Sequence, residues 1–201
     1  MNTFRLINKI EKSIITNSLQ KFSSEVLSHI KKKDYRLYIF INDEQTKSKF
    51  PLIYLVSYIN SNILEEKLKY ENITTAGLYF GFVKKGIFYL SLEGAEFFLD
   101  ENLIPNQFIL SVTNKGEKAI LYGNPIIKRM VINIPSDLQK NTILLVLNES
   151  RKLIALARSE IYYTNYKLLK QGDLVAKNLM DKGYYLRKKQ WVSINAIWLK
   201  L

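Results

Sequence analysis

Asp181-Lys182-Gly183-Tyr184-Tyr185-Leu186-Arg187 opens with an acidic residue and a glycine, then runs aromatic, aromatic, apolar, basic. The order reads as a tight bend feeding a strand that carries flat rings and cations together, a pairing used by surfaces that hold single-stranded RNA. Lys188 and Lys189 follow directly. In such a strand Tyr184 and Tyr185 point to opposite faces, so at most one is free to stack on a base. Roughly sixty residues earlier, Ala119–Arg129 reads AILYGNPIIKR. Here a short apolar strand, Glu117 to Tyr122, is expected to run into Gly-Asn-Pro and a brief helix. Asn124 would cap that helix and Pro125 would take its first position, where a missing N–H costs nothing.

Working outward, the strand Gln107 to Val112 precedes the turn Asn114-Lys115-Gly116. Thr142 to Leu147 and Leu153 to Arg158 flank the turn Asn148 to Lys152 as a central hairpin of near-continuous apolar character. Gly172 to Met180 and Tyr184 to Arg187 would then complete a small barrel, which needs several short strands with regular turns. Pro105 and its polar neighbours break both periodicities, so a linker is placed over Asp100 to Asn106. The expected division is an N-terminal domain over 1–100, a barrel over 106–190 and an extension over 191–201. WVSINAIWLKL, the extension, alternates like an added strand or a tail packing back on a domain, and a partner-binding tail is the sharper reading.

In the N-terminal part, Leu6, Ile10, Ile14, Phe22, Val26 and Ile30 recur at helical spacing. They predict one long helix or two short ones broken near Asn17-Ser18, with Asn2 or Thr3 as cap. Tyr35 to Ile41 and Pro51 to Val56 read as strands on either side of a polar turn, Asn42 to Lys49. Ser57 is placed to cap a helix to about Lys69 with Ile59, Ile63 and Leu64 inward. Gly77 to Val83 and Ile87 to Leu92 form a hairpin through Lys84-Lys85-Gly86, and a helix from Glu93 to Leu99 closes the unit. The fold class is therefore α+β: an antiparallel sheet with helices on one side, followed by a small mixed barrel.

Composition narrows the chemistry. Thirty Lys and Arg stand against 18 Asp and Glu, a net +12. Residues 1–100 carry 14 basic and 11 acidic groups, net +3, and residues 101–201 carry 16 and 7, net +9. That excess favours polyanions, with RNA, DNA and anionic lipid all consistent with it. Cysteine is absent and His29 is the single histidine, which excludes disulfides and thiolate sites and leaves little material for a zinc site or a Ser-His-Asp triad. No apolar run is long enough to span a bilayer and no signal-peptide core opens the chain, so a cytoplasmic protein without membrane contact is expected.

Leu78 to Phe82 (LYFGF), Ile87 to Phe98, Ala119 to Lys128 with its Leu-Tyr-Gly-Asn core, and DKGYYLR together resemble the Nip-seven family of large-subunit ribosome biogenesis proteins, in an archaeal form. The likeness covers roughly Thr74 to Gln190. It implies an N-terminal α/β domain, a C-terminal PUA domain that binds RNA, and no enzymatic activity, cofactor or metal. Carried over, it places RNA contacts on Lys177, Lys182, Arg187 and Lys188 of the last strands, with Lys128 and Arg129 on the first helix beside them. The chain departs from the family where Met130 stands in place of a small residue after that helix.

The resemblance implies a non-catalytic factor, expected as a monomer, that covers single-stranded or irregular precursor ribosomal RNA and meets other assembly or RNA-processing proteins. Two other classes compete. One is a protein-docking scaffold with little direct RNA affinity. The other is an RNA-modifying enzyme with an appended PUA domain, which should carry a Gly-rich nucleotide loop or a catalytic Asp motif; neither is present in the sequence. Each cation also has an ordinary explanation, since exposed Lys is common and Lys128 and Arg129 would suit a helix C-terminus without any ligand.

Overall fold

The structure is a computed structural model and describes residues 3–22, 25–42 and 50–187. The chain divides after Leu103 into two compact units. The Asn42 to Lys49 turn lies almost wholly outside the described residues, as do Lys188 and the extension over 191–201.

The first unit is a five-stranded antiparallel sheet in chain order. Its strands are β1 (Thr3–Leu6), β2 (Tyr35–Ile41), β3 (Leu52–Ser57), β4 (Leu78–Lys84) and β5 (Ile87–Leu90). The chain starts as a strand rather than a helix: Phe4 is buried against Tyr38 and Tyr54, and β1 pairs with β2 from Thr3↔Ile41 to Leu6↔Tyr38. Helix α1 (Lys9–Leu19) begins only after Asn8. There the Asn8 side chain accepts from the Glu11 amide and Glu11 accepts from the Asn8 amide, a reciprocal cap. Arg5 grips Glu11 at 2.8 and 2.9 Å, and that hydrogen bonding, more than the opposing effect of burial, holds the Glu11 carboxyl below the usual range. The break to α2 (Glu25–Lys32) falls after Leu19, later than Asn17-Ser18.

Helices cover both faces of this sheet, not one. The Tyr38 hydroxyl meets Ser61 at 2.8 Å and Glu65 at 3.0 Å on α3 (Tyr58–Lys67). Phe80, which follows Tyr79 and so faces the other way, packs edge-on to Phe98 of α4 (Leu92–Asp100) at 5.3 Å. That double cover explains why Leu52 to Val56 are buried without alternation. Ser57 sits at the start of α3 but makes no side-chain cap. Ser61 and Leu64 face the sheet, leaving Ile59 and Ile63 exposed, because the polar bond to Tyr38 fixes which side of the helix turns inward. The β4–β5 turn places Lys85 and Gly86 at φ 49° and 73°, as a two-residue hairpin requires.

The second unit is a nearly closed mixed barrel. It contains β6 (Ile109–Val112), α5 (Asn114–Leu121), β7 (Ile126–Ile127), β8 (Val131–Asn133), β9 (Ile143–Leu147), β10 (Leu153–Ser159), α6 (Tyr163–Tyr166), β11 (Leu174–Asp181) and α7 (Tyr184–Arg187). The sheet order is β7-β11-β10-β9-β6-β8, antiparallel except for the parallel pair β6 and β9. The β9–β10 hairpin forms as the sequence predicts, and its Leu144, Val146, Ile154 and Ala155 join Leu110, Ile120 and Ile126 in the core.

Three elements differ from expectation. The segment expected as a strand over Glu117 to Tyr122 is helical as far as Leu121, with Tyr122 capping α5, and the expected turn Asn114 to Gly116 is that helix's start: the Thr113 hydroxyl caps the Gly116 amide at 3.1 Å, and Gly116 and Ile120, one turn apart, are the buried face. Ile126 and Ile127 form β7, because pairing with Ala176 and Leu174 of β11 outweighs the Asn-Pro helix signal; only a single 3-10 turn, Lys128–Met130, follows. Tyr184 to Arg187 is a single helical turn rather than a strand, closed by the Arg187 amide on the Gly183 carbonyl at 3.1 Å.

Candidate nucleic-acid interface

The first stretch read above and the second meet at the C-terminal end of α5. Leaving the helix at Tyr122, the chain turns left-handed at Gly123, φ 88°. The Gly123 amide bonds the Ile120 carbonyl at 2.8 Å and the Asn124 amide bonds the Ala119 carbonyl at 3.2 Å. These are the two bonds of a Schellman ending, which satisfies carbonyls the helix leaves unpaired. A glycine is needed here for that conformation, and also because Arg187 Nη2 lies 3.3 Å from where a Cβ would stand.

From the other side, the Lys182-Gly183 turn presses on the same helix end. A Cβ on Gly183 would overlap the Leu121 carbonyl oxygen, and the Lys182 amide is held by Ile154 O at 2.9 Å. Beneath, Arg187 makes a two-pronged bond to Asp181, Nη1 to Oδ1 at 2.8 Å and Nη2 to Oδ2 at 2.9 Å. Asp181 is 3% exposed. Its hydrogen bond to Arg187 raises the guanidinium further above an already high value, with burial opposing. Asn178 Nδ2 completes the knot, donating to Ile120 O at 2.9 Å and to Asp181 Oδ2 at 3.1 Å.

The result is a braced helix end presenting Tyr122, which is 77% exposed. Lys118 and Lys115, one and two turns back along α5, are exposed and, among the described residues, without ion-pair partners. A flat ring beside unpaired ammonium groups can stack on a base while the cations meet phosphates. The sequence reading places Lys118 and Tyr122 on a strand and Lys115 in the turn before it, and names none of them as a contact. The signal that finds them is the four-residue spacing of Gly116 and Ile120 against Lys118 and Tyr122, buried and exposed faces of one helix.

Of the six cations singled out from the sequence, Arg187, Lys177 and Lys128 are engaged by protein groups. Arg187 braces the helix end from beneath, its charge met by Asp181. Lys177 stands 3.3 Å from Glu160, which also attracts Arg158 at 3.6 Å. Lys128 donates to Leu169 O at 2.6 Å and lies over the Tyr166 ring at 5.3 Å, so it anchors the α6 loop. Lys128 and Arg129 occupy the 3-10 turn rather than a helix, with Arg129 exposed. Lys182 sits in the turn against the end of α5, and Lys188 lies outside the described residues. Met130 does not follow the first helix at all: it packs on Gly116, while Tyr122 and Gly123 take the position after the helix. Among the described residues no group of three His, Asp or Glu side chains could hold a metal ion, and no helix is long and apolar enough to cross a membrane.

An α+β unit followed by a PUA-type barrel is the class these observations define. Residues 109–190 match the family model described as the UPF0113 PUA domain. Among solved structures, the chain is similar to a conserved PUA domain protein from Thermoplasma acidophilum, 13% identical with a TM-score of 0.62, over 90% of this chain and 95% of that one. It is also similar to a hypothetical protein from Pyrococcus horikoshii, 14% identical with a TM-score of 0.61, over 94% and 98%. A third is a PUA domain from Aeropyrum pernix solved with tartrate, 15% identical with a TM-score of 0.60, over 95% and 90%. At these identities the likeness establishes a shared fold across both units. Curated protein sequences return no match.

Proposed function

We propose that the C-terminal unit binds single-stranded or irregular RNA at the end of α5, and that the protein acts by occupancy, without catalysis, in assembly of the large ribosomal subunit. The PUA match over 109–190 supports the first part, and the resemblance of LYFGF, LYGN and DKGYYLR to the Nip-seven family supports the second. The observation that carries the binding site is the exposed Tyr122 ring on a braced helix end beside unpaired Lys115 and Lys118. Precursor ribosomal RNA is the ligand of this reading, other assembly factors are its protein partners, and the cytoplasm is its place.

The test is a fluorescence-anisotropy titration of the full chain with a labelled oligouridylate. Tyr122→Ala should weaken binding by about 1–3 kcal/mol, the usual worth of one base–ring stack, with thermal stability unchanged because the ring is exposed. Equal affinity for variant and wild type would remove Tyr122 from the site. One observation favours a docking scaffold as the second reading: Arg187, Lys177 and Lys128 are each occupied by protein groups, which leaves fewer cations for phosphate. A scaffold would show no saturable RNA binding at all.

A further inference from the structure

The first unit carries a groove that the RNA-binding reading does not use. One face of α1, where Ile10 and Ile14 stand among Ser13, Asn17, Ser18 and Lys21, lies beside Gly86 and Ile87 at the start of β5 and forms an open groove of about 250 Å³. Two of its apolar side chains are open to water: Ile10 is 74% exposed and Ile87 is 47%. Burying them against a partner recovers apolar area that folding alone leaves in solvent. The volume falls below the roughly 300–1,000 Å³ of small-molecule pockets, and suits one or two side chains of a docked segment.

The charged residue lining the groove is a lysine. Lys21, which lines it, and Lys85, next to Gly86 in the chain, are exposed and, among the described residues, neither has an ion-pair partner. The one acid of α1, Glu11, is already held by Arg5. No aromatic ring lines the groove, so it lacks the stacking surface that single-stranded nucleic acid uses. Three isoleucines beside Lys21 and Lys85 call for the complementary arrangement: apolar anchors at helical spacing, flanked by carboxylates. We propose that the α1–β5 groove docks an acidic amphipathic helix of a protein partner. This stands apart from the RNA site in the other unit, so either can fail alone.

The test is a selection from a displayed library of random peptides of about 16 residues, roughly four helical turns. Full-length protein is the bait and an Ile10→Glu variant is the counter-selection. Ile10 is mostly exposed, so the variant should keep the wild-type circular dichroism and melting curve. Enriched peptides should carry Leu, Ile or Phe at three- and four-residue spacing with Asp or Glu between. Their affinity should fall about tenfold or more for Ile10→Glu, and again for Lys21→Glu with Lys85→Glu. Three results would overturn the proposal: no enrichment, enrichment of neutral or basic peptides, or peptides that bind both variants as well as wild type. Loss of oligouridylate binding in Ile10→Glu would also overturn it, because the groove would then belong to nucleic acid.

Discussion

Arg187 illustrates how a residue read as a ligand contact becomes a brace. Its guanidinium occupies both oxygens of a carboxylate that is 3% exposed and lies against the bare backbone of Gly123. Removing it would strand the Asp181 charge in the barrel, so Arg187→Ala should cost about 2 kcal/mol in urea denaturation of the full chain. Arg187→Lys keeps the charge but not the two-pronged geometry and should recover only part of that loss. RNA affinity per folded molecule should change little in the lysine variant. A variant as stable as wild type but defective in RNA binding would reverse the assignment and make Arg187 a direct contact. The sequence displayed the cation and its nearness to two tyrosines. It could not display Asp181 as the partner, because that pairing depends on Tyr184 to Arg187 curling into one helical turn instead of extending.

At the scale of elements, long apolar segments with matching turns were legible. Tyr35–Ile41, Leu52–Ser57 and the β9–β10 hairpin combine β-branched or aromatic runs with polar breaks, and local preference agrees with the fold there. Short segments near the site were not. Thr3–Leu6 and Ile126–Ile127 are strands only because β2 and β11 offer them pairing edges several dozen residues away. The Ala119–Tyr122 run is apolar enough for either period, and a hydroxyl at Thr113 decides for helix. That cap makes a prediction of its own. Thr113→Ala should lower stability by about 1 kcal/mol by thermal melting. It should leave the Schellman bonds at Gly123 in place, read as retained amide-exchange protection there. Loss of protection at both ends of α5 would mean the helix stands or falls as a whole.

Across the whole molecule, a net charge of +12 is a statement about attraction to polyanions at long range, and it carries no address. The address comes from which cations folding leaves unpaired. In the barrel, Lys128, Lys177 and Arg187 are engaged within the protein, whereas Lys115 and Lys118, on the same helix as the exposed Tyr122, have no ion-pair partner among the described residues. Taking Lys115 and Lys118 as two phosphate contacts, single-stranded RNA should be released with a log–log salt slope of about −1.4. The decisive measurement is that slope for the full-length chain with a labelled oligouridylate at several salt concentrations, repeated with Lys115→Glu and Lys118→Glu combined. The account predicts a slope of about −1.4 that the double variant flattens; a slope near zero, or one the double variant leaves untouched, would contradict it.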